Sequence, residues 1–156
     1  MTQPRTYTAI IQSISGIGTL PFFQIATPSA TAIELIRLEF GVEDSTTNQQ
    51  ECIQLMQRTT NSTLPNVTQR TPLLSGDPIT MLASTSITNA YGVATGTGSY
   101  GASIMRWCFN CLNGLVYAPV PEERPILAPS KFWTLEFAAS PAANTWDGYV
   151  MYHELT

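Results

Sequence analysis

The chain has 156 residues and a net charge of −4, and only 12% of its residues are charged, against about 25% in an average soluble domain. Its seven cations lie singly along the sequence, which excludes the clustered basic patch that nucleic-acid binding requires. No apolar run approaches the roughly 18 residues of a membrane helix, and residues 1–8 lack the pattern of a signal peptide. We therefore expect a single domain, 1–156, that binds neither nucleic acid nor membrane.

The elements predicted along the chain are short strands rich in Ile, Thr, Tyr, Phe and Val and separated by Pro and Gly. No long helix is predicted. The predicted strands are residues 7–14, 21–26, 33–40, 51–59, 86–95, 104–109, 115–117, 132–137 and 149–155. Eight or nine strands at this spacing predict an all-β fold, a β-sandwich of the jelly-roll kind.

Residues 33–40 show the clearest alternation of apolar and charged side chains, with Ile36, Leu38 and Phe40 predicted inward and Arg37 and Glu39 outward. Ile33 and Leu35 fall on the opposite parity. A change of parity inside one strand predicts a bulge near residues 34–35. This strand is expected to lie at the centre of the core.

Turn residues separate the strands. Asn113 followed by Gly114 predicts a tight turn, and Asp77 is placed to cap one helical turn beginning at Pro78. The Pro-rich residues 119–129 are expected to run extended, because each proline fixes φ. Two interpretations of this segment remain open: an arm that docks on a partner, or a stiff loop packed on its own sandwich.

Two cysteines form a Cys-x-x-Cys motif, Cys108 and Cys111, which in other settings carries redox chemistry or half of a zinc site. The motif lies between strands, and Cys52 and His153 are the only further ligands of their kinds. The motif is therefore interpreted as two small apolar side chains at a strand end. An odd count of three cysteines argues against a disulfide framework. Neither a metal nor a cofactor is predicted.

Catalytic candidates are few. His153 is the only histidine, and no Gly-x-Ser-x-Gly elbow accompanies it. Glu122 and Glu123 are adjacent on a segment expected to be extended, so they point to opposite sides and do not form a facing pair of carboxylates. Ion pairing among these two acids and Arg124 is the expected role. No catalytic residue is assigned and the protein is not predicted to be an enzyme, with a small β-fold enzyme as the rival interpretation.

Six aromatic residues are concentrated in the last third of the chain: Trp107, Tyr117, Trp133, Trp146, Tyr149 and Tyr152. Such a set either fills a core and an interface or forms a stacking surface for sugars. The first interpretation is preferred. The second keeps open an alternative function as a carbohydrate-binding module of a head or tail fibre.

The stretch from Phe109 to Leu155, which includes the motif Pro121-Glu122-Glu123-Arg124 and an ending rich in Leu, Ala and Trp, resembles small proteins encoded in the structural gene regions of tailed phages. The strand at residues 33–40 and the Gly-Asp-Pro at residues 76–78 fall in the same order as in those proteins. The Cys-x-x-Cys and the Thr-rich middle depart from that layout.

The resemblance implies a virion protein on the capsid surface, made in the host cytoplasm. It implies a capsid decoration (cement) protein that forms a homo-oligomer, a trimer, and contacts the major capsid protein. A surface poor in charge is consistent with such adhesion, because it can be buried against other protein over a large area without leaving charges unpaired. The resemblance implies no catalytic residues.

Overall fold

The computed structural model of the chain describes residues 5–43, 48–68, 71–73, 88–96 and 98–155. The helical turn predicted at Asp77 lies outside the described residues. In the described part there are twelve strands: β1 (Arg5–Ile14), β2 (Pro21–Ala26), β3 (Ala32–Val42), β4 (Gln50–Arg58), β5 (Asn66–Thr68), β6 (Thr71–Pro72), β7 (Thr88–Tyr91), β8 (Tyr100–Asn110), β9 (Leu115–Tyr117), β10 (Ile126–Leu127), β11 (Phe132–Phe137) and β12 (Trp146–Leu155). No helix among these residues is long and apolar enough to cross a membrane.

The strands form two antiparallel sheets packed face to face. Sheet 1 has the order β10-β3-β12-β1-β6, with β9 also paired to β3, and sheet 2 has the order β5-β7-β2-β11-β4-β8. Eight strands account for the architecture: β1-β12-β3-β9 in sheet 1 and β2-β11-β4-β8 in sheet 2. This pairing order is that of an eight-stranded jelly roll, so the predicted all-β sandwich is confirmed.

All nine predicted strands are present, and three further strands, β5, β6 and β10, have only two or three residues each. A segment of that length is too short to show an alternating pattern, which is why the sequence did not predict them. The turn at Asn113-Gly114 is also present, with Gly114 at φ +67°, a conformation that glycine adopts at no steric cost.

The core lies between the sheets and is largely aromatic at one end. Phe40 of β3 stacks on Trp146 of β12 with ring centroids 5.4 Å apart, and Phe137 of β11 lies 4.9 Å from the same Trp146 ring. Trp133 and Leu135 of β11 are each 2% exposed and border the small void between the sheets, so they form the inward face of that strand. Such aromatic pairs add about 0.5–1.5 kcal/mol each beyond the area they bury.

The bulge in β3 occurs at Ile36, one residue beyond the predicted position. Leu35 pairs with Tyr152 and Arg37 pairs with Met151, so Ile36 is the extra residue. Leu35 and Leu38 are both buried, whereas Ile36 is only partly buried. The prediction that Ile36 shares the inward face of Leu38 is wrong. The bulge shifts the alternation of inward and outward side chains one residue later in the strand than expected.

A disulfide bond joins Cys52 of β4 to Cys108 of β8, which face each other directly across the two strands. The interpretation of Cys108 as an unpaired apolar side chain is therefore wrong, and so is the argument from the odd cysteine count. Cys111 is the free, buried cysteine. Burial, with the nearby Glu51 carboxylate, raises the pKa of the Cys111 thiol, which keeps it protonated and unreactive at neutral pH.

Candidate interaction surfaces

The outer face of sheet 1 is open to solvent and mixes apolar side chains with charged ones. One row across four strands runs Val116, Glu39, Tyr149 and Ile10, in β9, β3, β12 and β1. Val116 is 63% exposed and Ile10 is 49% exposed. A parallel row begins with Ile126, which is 58% exposed and pairs with Glu34. Large apolar side chains therefore stand at both margins of this face.

The first charged group on this face is an ion pair between Arg37 and Glu39 of β3. The Arg37 Nε donates to Glu39 Oε1 at 2.6 Å, and the two side chains are 42% and 30% exposed. The hydrogen bond from Tyr149, with a further contribution from Arg37, lowers the pKa of Glu39 although partial burial opposes it. Burial and the same bond to Glu39 raise the pKa of Tyr149. The carboxylate of Glu39 thus finds both its partners on this face.

The second charged group connects the Pro-rich segment to the sheet. Glu34 Oε2 lies 3.3 Å from Arg124 Nη1 and 3.1 Å from His153 Nδ1. The three side chains are only about one-fifth exposed, at 18%, 19% and 22% respectively. His153, considered above as a catalytic candidate, is therefore a contact of Glu34 on the outer face of sheet 1.

Gly148 of β12 has the inward parity of its strand, opposite the buried Phe40, and lets β12 lie close to β3. A Cβ at this position would lie 2.3 Å from the Glu39 carbonyl oxygen, closer than any real contact. Beside it is a shallow surface groove of about 290 Å³, whose lining includes Glu39, Val116, Asp147 and Tyr149. Asp147 Oδ1 accepts a hydrogen bond from the Ser13 amide. The face therefore offers a broad, low-relief surface rather than a deep pocket.

The outer face of sheet 2 differs because loops of the same chain cover it. Gln24 of β2 donates to Asn61 Oδ1 and accepts a hydrogen bond of 2.7 Å from the Ser62 amide. The Ser62 hydroxyl in turn accepts a bond of 3.1 Å from the Gly98 amide. Gln24 and Ser62 are 4% and 2% exposed. The segment between β4 and β8 is thereby attached to the sheet by polar groups that bond to each other.

An ion pair lies beneath this cover. Arg58 has the parity of Gln54 in β4, opposite to that of the inward Ile53 and Leu55, and so lies on the outer face, but its side chain is only 5% exposed. Its guanidinium donates to Glu136 Oε2 at 2.5 Å, to Thr134 Oγ1 at 3.0 Å and to the Gly98 carbonyl at 2.8 Å. Gln54 donates to the other Glu136 oxygen at 2.8 Å. Because the buried charges have these partners, they hold the covering loop in place without an unpaired group.

One side of the sandwich, where β8 of sheet 2 meets β9 of sheet 1, forms a third surface, called here the side wall. The Trp107 and Tyr117 rings join the two strands with centroids 4.8 Å apart, and the Tyr117 hydroxyl lies 3.2 Å from Met105 Sδ. Leu112, Val120, Glu122 and Glu123 are exposed in the segments that flank β9, whereas Arg106, opposite Gln54 of β4, is exposed on the outer face of sheet 2. In the described residues, β8 is an edge strand whose only partner is β4.

The Pro-rich segment packs on its own chain and still presents exposed groups. Residues 121–123 form a 3₁₀ turn instead of the predicted extended run. Ile126 and Leu127 pair with β3 as strand β10, and Leu127 is fully buried. Glu122 and Glu123 are exposed and, within the described chain, make no ion pair, so the pairing predicted between them and Arg124 does not occur.

Five of the six aromatic residues lie inside or against the core. Trp133, Trp146 and Tyr152 are at most 2% exposed, and Trp107 packs on Tyr117. Tyr149 alone lies on the outer face of sheet 1. This arrangement agrees with the interpretation of the set as core filling, which rested on the enrichment of aromatic residues in cores and interfaces.

Among the described residues, a small void of about 10 Å³ lies between the sheets and is lined by apolar side chains that include Leu38, Leu55 and Trp133. That volume is at the lower limit of what one water molecule needs. Among the described residues no group of three His, Cys, Asp or Glu side chains could hold a metal ion. The chemistry visible in these residues is that of surfaces rather than of an enclosed site.

No protein-family model, no curated protein and no solved structure matches this chain. The resemblance to phage structural proteins therefore rests on the motifs given above, and the surfaces described here must be interpreted from their own geometry.

Proposed function

We propose that this protein is a phage virion structural protein, a capsid decoration (cement) protein that binds the shell through the outer face of sheet 1 and associates with copies of itself. The observation that carries the proposal is the contrast between the two outer faces. The chain covers the outer face of sheet 2 with its own loop, and it leaves the outer face of sheet 1 open with its charges already paired.

Charges that are already paired lower the free-energy cost of burying this face in an interface. Burying an isolated charge costs several kcal/mol, whereas the Arg37–Glu39 pair and the Glu34 cluster enter an interface with partners in place. The apolar side chains at the margins, Val116 and Ile126, then contribute about 25 cal/mol for each Å² of apolar surface that is buried. Such a face suits a protein partner of low charge.

Repetition explains how a modest contact becomes useful on a shell. A decoration protein occupies many equivalent positions, and copies that also touch each other gain in avidity without a new kind of contact. The jelly roll is compatible with this function but does not specify it, because the same fold carries many functions. The function is argued from the two faces and from the resemblance together.

The test uses shells assembled from the major capsid protein of the same genome without this protein. Purified protein should co-sediment with them, and Val116→Glu combined with Ile126→Glu should reduce the bound amount at least about tenfold, as a lost contribution of about 1.4 kcal/mol would. Leu20→Glu, which changes an exposed apolar residue away from this face, is the matched control and should bind normally. Failure of the wild-type protein to bind such shells would refute the proposal.

A further inference from the structure

The outer edge of β8 is the open edge of sheet 2. Within the described residues β8 pairs only with β4. Opposite residues of an antiparallel pair alternate between those that exchange hydrogen bonds and those that do not. The Cys111 amide donates to the Gln49 carbonyl at 2.9 Å, and these two residues continue the register of β8 with β4. Counting back from Cys111 in steps of two, Phe109 and Trp107 direct their backbone groups at β4.

The residues between them face the open edge. Arg106 and Cys108 have the other backbone parity, so their N–H and C=O groups point away from β4. Asn110 shares this parity and supports the direction, because its carbonyl accepts the amides of Asn113 and Gly114 in the following turn, at 3.0 Å each. Neither Arg106 nor Cys108 has a backbone partner on this side in the described part of the chain. Such unpaired groups along an edge strand are a template on which another strand can pair.

Two irregularities limit the open edge to a short stretch centred on Trp107. On one side the register with β4 shifts at Ile104, which is a bulged residue and interrupts regular pairing. On the other side the Asn110 carbonyl is already bonded within the turn. The regular stretch between these limits is residues 105–109. Trp107 is its midpoint, so the stretch has the same extent on both sides of that residue.

We propose that this edge is the contact between two copies of the chain, whose β8 strands pair antiparallel around a two-fold axis at Trp107. The rotation places Arg106 of each copy opposite Cys108 of the other, and each of these residues then donates one backbone hydrogen bond and accepts one. Trp107, which is only partly buried in one copy, meets its counterpart at the axis, where the side chains of opposite residues are closest. The inference rests on the self-association in the proposed function and names the surface that makes it.

Charge and the groups left free on the edge fix this register. An axis at Arg106 would place two guanidinium groups directly opposite each other, and like charges in that position are destabilising. An axis at Cys108 would need the Asn110 carbonyl, which the turn already occupies. The disulfide at Cys108 ties β8 to β4, so the edge is ordered before it pairs and loses little entropy on association.

The first experiment compares two substitutions at Arg106 by sedimentation velocity over a concentration series of the full chain. The wild-type protein should form dimers. Arg106→Pro removes the N–H that points at the other copy and leaves the backbone bonds to β4 in place, so association should weaken at least about tenfold. Arg106→Ala keeps that N–H and is the matched control. It should associate as well as the wild type or more tightly, because the two Arg106 side chains lie diagonally across the axis and repel each other.

Amide hydrogen exchange of the wild-type protein gives a second readout that needs no substitution. The Arg106 and Cys108 amides should exchange slowly in the dimer and rapidly after dilution to the monomer. The Trp107 amide faces β4 and should be protected at both concentrations, which makes it the internal control. Rapid exchange of Arg106 and Cys108 in a sample that is dimeric would place the contact elsewhere and overturn the proposal.

The outcomes separate this contact from the proposed function. A wild-type protein that stays monomeric at all concentrations, or an Arg106→Pro variant that associates as tightly as the wild type, overturns the contact. Dimers that pair through this edge, in a protein that nevertheless fails to bind shells, support the contact and refute the decoration function. Shell binding by a protein that stays monomeric supports adhesion and refutes the contact.

Discussion

Removing the Cys52–Cys108 disulfide should be among the most destabilising changes that leave the core intact. The bond closes a loop with a sequence separation of 56 residues, which includes β5, β6, β7 and the covering segment of sheet 2. Loop-closure entropy for a loop of this length gives about 4 kcal/mol of stabilisation at 25 °C. For a domain of this size, each kcal/mol shifts the melting temperature by about 2–4 °C. We therefore expect a loss of about 8–16 °C.

The assay compares the wild-type protein, oxidised in a glutathione buffer, with a Cys52→Ser/Cys108→Ser variant. Reductant should lower the melting temperature of the wild type to near that of the variant and should leave the variant unchanged. Alkylation in denaturant provides a second readout: one thiol, that of Cys111, should react before reduction and three after it.

Two results would refute this reasoning. Three reactive thiols in the oxidised wild-type protein would mean that the bond does not form. A bond that forms while the wild type and the variant melt at the same temperature would mean that β8 is already held as firmly by its backbone pairing with β4. The Cys111→Ser variant controls for the loss of a sulfur atom, because Cys111 is buried but not bonded to another cysteine.

Two further predictions concern the interior. Leu38→Ala should cost about 2–5 kcal/mol, because Leu38 is 1% exposed and already borders a void, whereas Glu39→Ala, one position along the strand, should cost less than about 1 kcal/mol as an exposed ion pair does; equal losses in urea unfolding would contradict the face assignment. Glu136→Gln should cost about 3–5 kcal/mol because it leaves the buried Arg58 guanidinium without its charge partner, and replacing both by Met and Leu should recover much of that loss; full stability in the single variant would show that the pair is not buried in solution.

Strand positions were predictable because most strands here bury one face. In β11, apolar residues alternate with polar ones over the five positions from Trp133 to Phe137, and a period of two suffices to place the strand and its inward side. The jelly roll followed from the number and spacing of such strands. The order of the strands within each sheet depends on contacts between residues far apart in the sequence. The sequence therefore predicted the fold class, but not which strands pair with each other.

The disulfide could not be predicted because it depends on register. Cys52 and Cys108 form a bond only because β4 and β8 are adjacent and aligned so that the two residues are opposite each other. A shift of one residue would place the two side chains on opposite faces of the sheet. The local Cys-x-x-Cys motif instead drew attention to Cys111, whose side chain is in the core.

The ion pair at Arg58 was missed for a related reason. Alternation along β4 correctly placed Arg58 on the face away from the core, and a charge on that face is ordinarily solvated. Its burial depends on the loop that returns across sheet 2, where the Gly98 carbonyl accepts a hydrogen bond from the guanidinium. The sequence of β4 contains no information about that loop.

The route of the chain explains why the two outer faces differ. The connection between β4 and β8 is long, and its described parts add β5 and β7 to sheet 2 and place Ser62 and Gly98 over its outer face. Sheet 1 receives no comparable cover in the described residues; its outer face has only the short strands β6, β9 and β10 at its edges. The ion pairs of the two sheets differ in the same way. The Arg58–Glu136 pair of sheet 2 is buried and stabilises the fold. The pairs at Arg37 and Glu34 remain partly exposed, so a partner that covers this face would meet charges that are already paired.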